Sequence, residues 1–431
     1  MMLRKWTMSN GLCVFHKEMA TPLIAITVHI KGGSCVERTN EIGSAHFLEH
    51  MIYKASEKYP SEALISGLIE QEGAITNAMT SHERICFFIH TQSNVELMFD
   101  ILSDGIKNPL FREDDIVVER GAVLQEIAHG DDDPDDMISK LYGKMIWGTH
   151  PYGEDIAGTP EQVSALTRDA FMDYHKKYFT PQNIVVSVAG GIKSEKVFEL
   201  AFKYFGDDFH KAGQRARLPV VDFSYVPKSR LFLQENQLKQ MKCAMGTLPQ
   251  DWLSTKKGFE KSRVVASLLA NILGGGMSSR LFLKTRGQKG LVYSIQSGIS
   301  TYENAGNFWI DFGCDPANML NVLCLTFDEL DNILINGITE SELMKAKNTY
   351  KTQVAQNMER SLSIAMSGGA GELQGLDLRE SEEFFRDYID PVNVVDVMDV
   401  AKALLPKTKY YLAVSGNVGD KAKELEKLLS L

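Results

Sequence analysis

No apolar run in this 431-residue chain reaches the roughly 20 residues that a membrane span needs. A basic excess is also missing. The 46 Lys and Arg are outnumbered by 56 Asp and Glu, for a formal charge of -10. That balance argues against a protein that clamps nucleic acid, because phosphate binding needs a net basic surface. Cysteine is sparse. Cys13, Cys35, Cys86, Cys243, Cys314 and Cys324 contain no C-x-x-C pair, so they form neither a zinc ribbon nor a disulfide framework and are expected as reduced core thiols. The start, Met1-Met-Leu-Arg-Lys-Trp6, lacks the apolar core of a secretory signal, and no Arg- and Ser-rich presequence follows. The expectation is a bacterial-type cytoplasmic protein. What is present is a globular composition, 44% hydrophobic and 24% charged, over a length that calls for two or more domains.

Periodicity predicts strands at 11–15 and 23–30, the second ending at Gly32-Gly33. Helical patterns follow around 44–55, 60–71, 94–106, 113–129 and 163–178, with strands near 74–79, 84–91 and 183–189. Strands mixed with long helices point to an α+β class, a mixed sheet with helices packed on it. The pattern then recurs. Phe99-Asp-Ile-Leu matches Phe327-Asp-Glu-Leu at 327 − 99 = 228. Arg112-Glu-Asp-Asp-Ile matches Thr339-Glu-Ser-Glu-Leu at 339 − 112 = 227. Val186-Ser-Val-Ala-Gly matches Leu412-Ala-Val-Ser-Gly at 412 − 186 = 226. Three matches at nearly one spacing predict two homologous domains related by internal duplication, at 1–210 and 225–431. The join at 211–224 is punctuated by Gly213 and Pro219, as suits a linker. A shift of 227 carries His46 and His50 to the neighbourhood of Leu273 and Met277, and Glu126 to Gln353, so the second half is expected to hold no metal ligand.

The chemistry concentrates in Ser44-Ala-His-Phe-Leu-Glu-His50. On a helix, His46, Glu49, His50 and Tyr53 share one face, while Phe47, Leu48, Met51 and Ile52 form the apolar one. Ser44 stands where an N-cap is expected. Imidazoles at i and i+4 reach one ion from adjacent turns, as zinc requires, and Glu49 projects beside the ion. With 10 His in the chain, a chance H-x-x-E-H arises in about 1–2% of sequences like this one, which favours function over an ordinary polar face. The order is the inverzincin one. A catalytic zinc needs a third protein ligand and an open position. Glu119 and Glu126, two turns apart on the 113–129 helix with Val123 between them, are both candidates.

His46-Phe-Leu-Glu-His50, followed by Glu126 at 126 − 50 = 76 positions, resembles the pitrilysin and mitochondrial processing peptidase family. Gly274-Gly-Gly-Met-Ser-Ser-Arg280 through Tyr293-Ser resembles the family's second-half signature, and Thr76-Asn77-Ala78-Met-Thr80 its substrate-binding edge strand. The likeness runs over essentially the whole chain. It implies two αβ-roll domains, the first catalytic, with one Zn2+ per chain on His46, His50 and Glu126. It implies Glu49 as general base and Glu119 as a residue orienting a ligand. Asn77 and Ala78 would pair a substrate strand, and Arg280 and Tyr293 would bind its backbone or stabilise the oxyanion. The implied activity is a zinc metalloendopeptidase acting on unfolded or short peptides, in processing or clearance. Two domains rather than four imply a homodimer, or a heterodimer with a related inactive subunit.

Other readings compete. The glycines at 274–276 lack the Gly-Lys-Ser/Thr of a phosphate loop, and Asp131-Asp-Asp-Pro-Asp-Asp136 lacks EF-hand spacing and reads as an acidic turn. The main rival is a structural or regulatory subunit of the same fold without catalysis. It predicts damaged ligands, whereas His46, Glu49, His50 and Glu126 are all present.

Overall fold

The computed structural model describes residues 3–206, 209, 213–236, 240–376 and 379–430. Met1, Met2, Leu431 and, in the expected linker, Lys211 and Ala212 lie outside them. In chain order the elements are β1 (Leu3–Thr7), β2 (Cys13–Glu18), β3 (Ile24–Lys31), α1 (Ser44–Ile52), α2 (Glu62–Gln71), β4 (Ile75–Thr80), β5 (Arg84–Thr91), α3 (Val95–Lys107) and α4 (Glu113–Asp132). Then come α5 (Pro134–Trp147), α6 (Pro160–Ala165), α7 (Arg168–Tyr178), β6 (Ile184–Gly190) and α8 (Ser194–Phe205). The second half runs β7 (Leu231–Glu235), β8 (Met241–Thr247), α9 (Glu260–Gly274), α10 (Arg280–Phe282), β9 (Val292–Thr301), β10 (Gly306–Cys314), α11 (Met319–Asn336) and α12 (Glu340–Met358). It closes with α13 (Ser361–Gln374), α14 (Ser381–Phe384), α15 (Val394–Leu404), β11 (Tyr410–Gly416) and α16 (Ala422–Ser430).

Two expected elements differ. The helix at 163–178 is broken in two, because the Thr167 hydroxyl accepts the Ala170 N–H and starts α7 afresh. The acidic turn at 131–136 is a junction between helices. Asp133 caps α5, accepting the N–H groups of Asp135 at 2.8 Å and Asp136 at 3.1 Å, with Pro134 at the first helical position.

The first sheet has the order β1-β2-β6-β3-β5-β4 and the second β7-β11-β8-β10-β9. Without the edge strand β1 the two orders are the same, strand for strand, so the α+β fold is duplicated at the level of topology. The spacing between equivalents is uneven: 260 − 44 = 216 for α9 and α1, but 340 − 113 = 227 for α12 and α4. The counterpart of α1 is therefore α9 and not the 273–277 segment. None of its 15 residues is His, Cys or Asp, so the second half still lacks the ligand pair.

The compact units do not follow the halves of the chain. One is Met1–Ala128, Asp155–Pro219 and Ala355–Glu380; the other is His129–Glu154, Val220–Val354 and Ser381–Leu431. Helix α13, from late in the chain, belongs to the first unit, and α5, from the first half, belongs to the second. The two helices are repeat equivalents, 361 − 134 = 227, so the exchange is reciprocal. Its cause shows in the strands. Strands β3 and β6 are buried along their whole length, so both faces of the sheet need cover. Ile24, Ile26, Val28, Val186 and Val188 face the main core. Phe15, Ala25, Val185 and Ala189 face the other way, onto Ile364, Ala365 and Leu373 of α13. Gly368 and Gly369 let that helix lie close, since a Cβ at either would collide with the ring of Phe15 or His29. In the second unit, α5 packs on β8 and β11. Among the described residues, no helix is long and apolar enough to cross a membrane.

Candidate metal centre

Helix α1 buries Ala45, His46, Phe47, Leu48, Met51 and Ile52, and leaves Glu49 and His50 half-exposed. Phe47 anchors the apolar side against Phe171, with ring centroids 4.6 Å apart. Helix α4 supplies the opposing face: Glu119 is 6% exposed and Val123 fully buried, while the Glu126 side chain is about half exposed. The expected Ser44 cap is not what starts α1. Gly43 is the N-cap, and the Ser44 hydroxyl is buried without a partner among the described residues.

Donor atoms of three residues converge between these helices. His46 Nε2 lies 3.4 Å from His50 Nε2 and 3.6 Å from Glu126 Oε1, and His50 Nε2 lies 3.5 Å from Glu126 Oε2. A tetrahedral ion with bonds of about 2.0–2.1 Å separates its ligands by roughly 3.3–3.4 Å. The two imidazoles stand at that separation and the Glu126 carboxylate turns one oxygen to each, a donor set whose chemistry fits zinc, and the three residues are the metal-capable group the structure contains among its described residues.

The electrostatics suit a cation. Burial works against a charged His50, but the Glu119 hydrogen bond and the charges of Glu119, Glu126 and Glu49 more than offset it and raise its pKa. The bond to His50 and the neighbouring Lys54 hold Glu119 below the usual carboxylate range, and the bond to His46 does the same for Glu126. His50 Nδ1 meets Glu119 Oε1 at 2.8 Å, which turns Nε2 towards the cluster. His46 Nδ1 has no such partner among the described residues, so burial and the contacts of Nε2 with His50 and Glu126 orient that ring.

Glu49 stands off the cluster. Its Oε2 accepts the Thr80 hydroxyl at 2.6 Å, which ties it to the end of β4. Strand β4 is the edge of the first sheet. On it, Asn77 is exposed, and its Oδ1 accepts the Ala78 N–H at 2.8 Å, occupying a group that an added strand would use.

Arg280 and Tyr293 lie in the second unit. Arg280 directs four N–H bonds inward: two to Glu342 at 2.6 and 2.8 Å, one to Glu329 at 3.1 Å and one to the Gly337 carbonyl at 2.9 Å. Tyr293 is 76% exposed on the edge strand β9. The cation over its ring is Arg286, 5.4 Å from the centroid.

Lys54, Thr80 and Arg286 were absent from the sequence-based set. Lys54 stands four residues after His50, a helical spacing that could have drawn attention to it, although the helix has ended by then. Its Nζ meets Glu119 Oε2 at 2.7 Å and Glu62 at 2.8 Å, so Glu119 is gripped from both sides. Lys54→Met keeps the stem and removes that grip. Its zinc affinity, read by competition with a chromophoric chelator, is expected to fall about tenfold; an unchanged affinity would show that His50 alone positions Glu119.

Residues 13–160 match the family model described as Insulinase (Peptidase family M16), and 165–350 match Peptidase M16 inactive domain. An uncharacterized zinc protease of Mycobacterium tuberculosis is 32% identical over 421 residues, 97% of this chain and 94% of its own. The uncharacterized zinc protease YmxG of Bacillus subtilis is 30% identical, over 97% of this chain and 100% of its own. A peptidase M16 inactive domain from Pseudomonas fluorescens shares the fold with a TM-score of 0.86 at 21% identity, covering 96% of this chain and 98% of that one. A protease from Helicobacter pylori does so with a TM-score of 0.83 at 23%, covering 96% and 99%. The first family model spans every residue of the His46, Glu49, His50, Glu119 and Glu126 cluster, and the relatives extend over nearly the whole length: the chain belongs to the M16, or pitrilysin, family of peptidases.

Proposed function

We propose that this chain is a zinc metalloendopeptidase that cuts unfolded or short peptides, with one zinc on His46, His50 and Glu126. The observation that carries the reading is the convergence of two imidazole nitrogens 3.4 Å apart with the Glu126 carboxylate, one oxygen 3.5–3.6 Å from each, and a half-exposed carboxylate, Glu49, outside the group. Zinc held there would supply a Lewis acid for a peptide carbonyl and make a water acidic near neutral pH. Glu49 is the group that would accept the proton of the attacking water. Its Oε2 is steadied by Thr80, leaving Oε1 to accept. The same carboxyl then returns the proton to the leaving amine nitrogen. Glu119, held by Lys54, keeps His50 in the tautomer that offers Nε2.

The substrate strand would pair with β4 by its backbone, displacing Asn77 Oδ1 from the Ala78 N–H. In the second unit Tyr293 offers an exposed ring to a peptide. Arg280 is committed to Glu342, Glu329 and Gly337, which favours the exposed Arg286 as the peptide's cationic contact. A second chain, either a copy or a related subunit without ligands, would restrict entry to extended peptides. Intact, converging ligands weigh against a purely structural subunit.

Purified protein is expected to contain one zinc per chain and to cleave an unstructured peptide, to stop when the metal is chelated, and to resume when zinc is restored. The same bond inside a tightly folded domain should be cut far more slowly. Absence of stoichiometric zinc, or cleavage that survives chelation, would sink the proposal.

A further inference from the structure

The helix that carries His46, Glu49 and His50 has no side-chain cap from its own N-cap residue, Gly43, whose φ is 91°. Glu37, six residues upstream, takes that role. Its Oε2 accepts the Gly43 N–H at 3.0 Å, and its Oε1 accepts the Ala45 N–H at 2.6 Å, one residue before the first ligand. The segment that delivers Glu37 is itself pinned. The Tyr174 hydroxyl donates to the Gly33 carbonyl at 2.8 Å, and the Tyr178 hydroxyl to the Val36 carbonyl at 3.0 Å. Gly33, at φ 68°, lies so close to the backbone of Ser81, His82 and Arg84 that no Cβ fits. Loss of solvent around the half-buried Glu37 carboxyl pushes it up to about 8 against the pull of its two N–H bonds, which it accepts at the positive end of α1.

We propose that Glu37 is a positioning residue for the metal centre: by gripping the first turn of α1 it sets where His46 and His50 meet Glu126. The proposal rests on the zinc reading above. Glu126 comes from a different helix, α4, so the 3.4–3.6 Å spacing depends on how α1 is seated against it. A grip on the N–H adjoining His46 fixes that seat, whereas an ordinary cap adds stability and nothing else.

The test measures zinc affinity by chelator competition and thermal stability by circular dichroism for wild type, Glu37→Gln, Glu37→Asp and Ser61→Ala. Ser61 is the control, an ordinary cap that accepts the Leu64 N–H of α2 at 3.3 Å. Glu37→Gln keeps the volume but turns an N–H donor towards a backbone N–H. Glu37→Asp keeps the carboxyl but draws it back by one methylene. Both are expected to lose about tenfold in zinc affinity, while Ser61→Ala melts earlier with its zinc affinity intact. The Asp variant decides the matter if the Gln variant does not fold. Zinc affinity equal to wild type in a folded Glu37 variant overturns the positioning role and leaves the zinc reading standing. Wild-type protein that binds no zinc overturns both.

Discussion

Glu49→Gln is expected to retain one zinc per chain and to cleave peptides roughly 10²- to 10⁴-fold more slowly, with the loss in kcat and KM little changed. The amide fills the same space and still accepts the Thr80 hydroxyl through its oxygen, so local geometry is kept. What it cannot do is accept a proton. Glu49 is not among the three converging donors, so the metal has no reason to leave. His50→Ala separates the roles: it removes the Nε2 that lies 3.4 Å from His46 and 3.5 Å from Glu126, and it leaves Glu119 facing a void. Zinc itself should be lost there. The pair is read by zinc content beside turnover on one unstructured peptide. Undiminished turnover by Glu49→Gln would refute the general-base role, and full zinc occupancy in His50→Ala would refute the ligand set.

Residues 1–210 expressed alone are expected not to fold cooperatively, although they contain the whole metal motif. That fragment lacks α13, which covers one face of the first sheet through Ile364, Ala365 and Leu373. It also carries α5, whose partner strands β8 and β11 lie beyond residue 210. Phe15, Val185, Ile364 and Leu373 each contribute roughly 1.5–3 kcal/mol when buried. Their sum is comparable with the roughly 5–15 kcal/mol by which whole domains are stable. Co-expression of the remaining residues should restore a soluble, zinc-binding species. A fragment 1–210 that melts cooperatively within about 5 °C of the intact chain would contradict the idea that each unit needs its exchanged helix.

The exchange was not legible beforehand for a physical reason. A helical pattern shows that one face is buried, not which sheet buries it. In α13 the paired Gly368 and Gly369 look like a helix break, and only the closeness of Phe15 and His29 explains them. The repeat was readable at 226–228 because α4, β6 and their counterparts keep that spacing. Its earlier part runs about ten residues shorter, which put the expected counterpart of α1 in the wrong place. The same limit explains the missed neighbours of the site. Glu37 reaches Ala45 and Thr80 reaches Glu49 through folding of the chain, and no local pattern marks either. Ser44 looked like a cap from its neighbours alone, and Glu37 had already taken the N–H groups.

By itself, the sequence determined the helix face of His46, Glu49 and His50, the pairing of Glu119 with Glu126, and the duplication. All three are periodic, and periodicity is what a linear string records. The resemblance of the motif already implied Glu126 as the acid that meets the two imidazoles and Glu119 as the one that braces a ligand. Tertiary structure decided how they are held, with Lys54 on Glu119 and Thr80 on Glu49. It also decided that Arg280 is tied down while Arg286 covers Tyr293, and that each sheet is closed by a helix from the other half of the chain. Those outcomes depend on distances between residues far apart along the chain, which only the packed fold brings together.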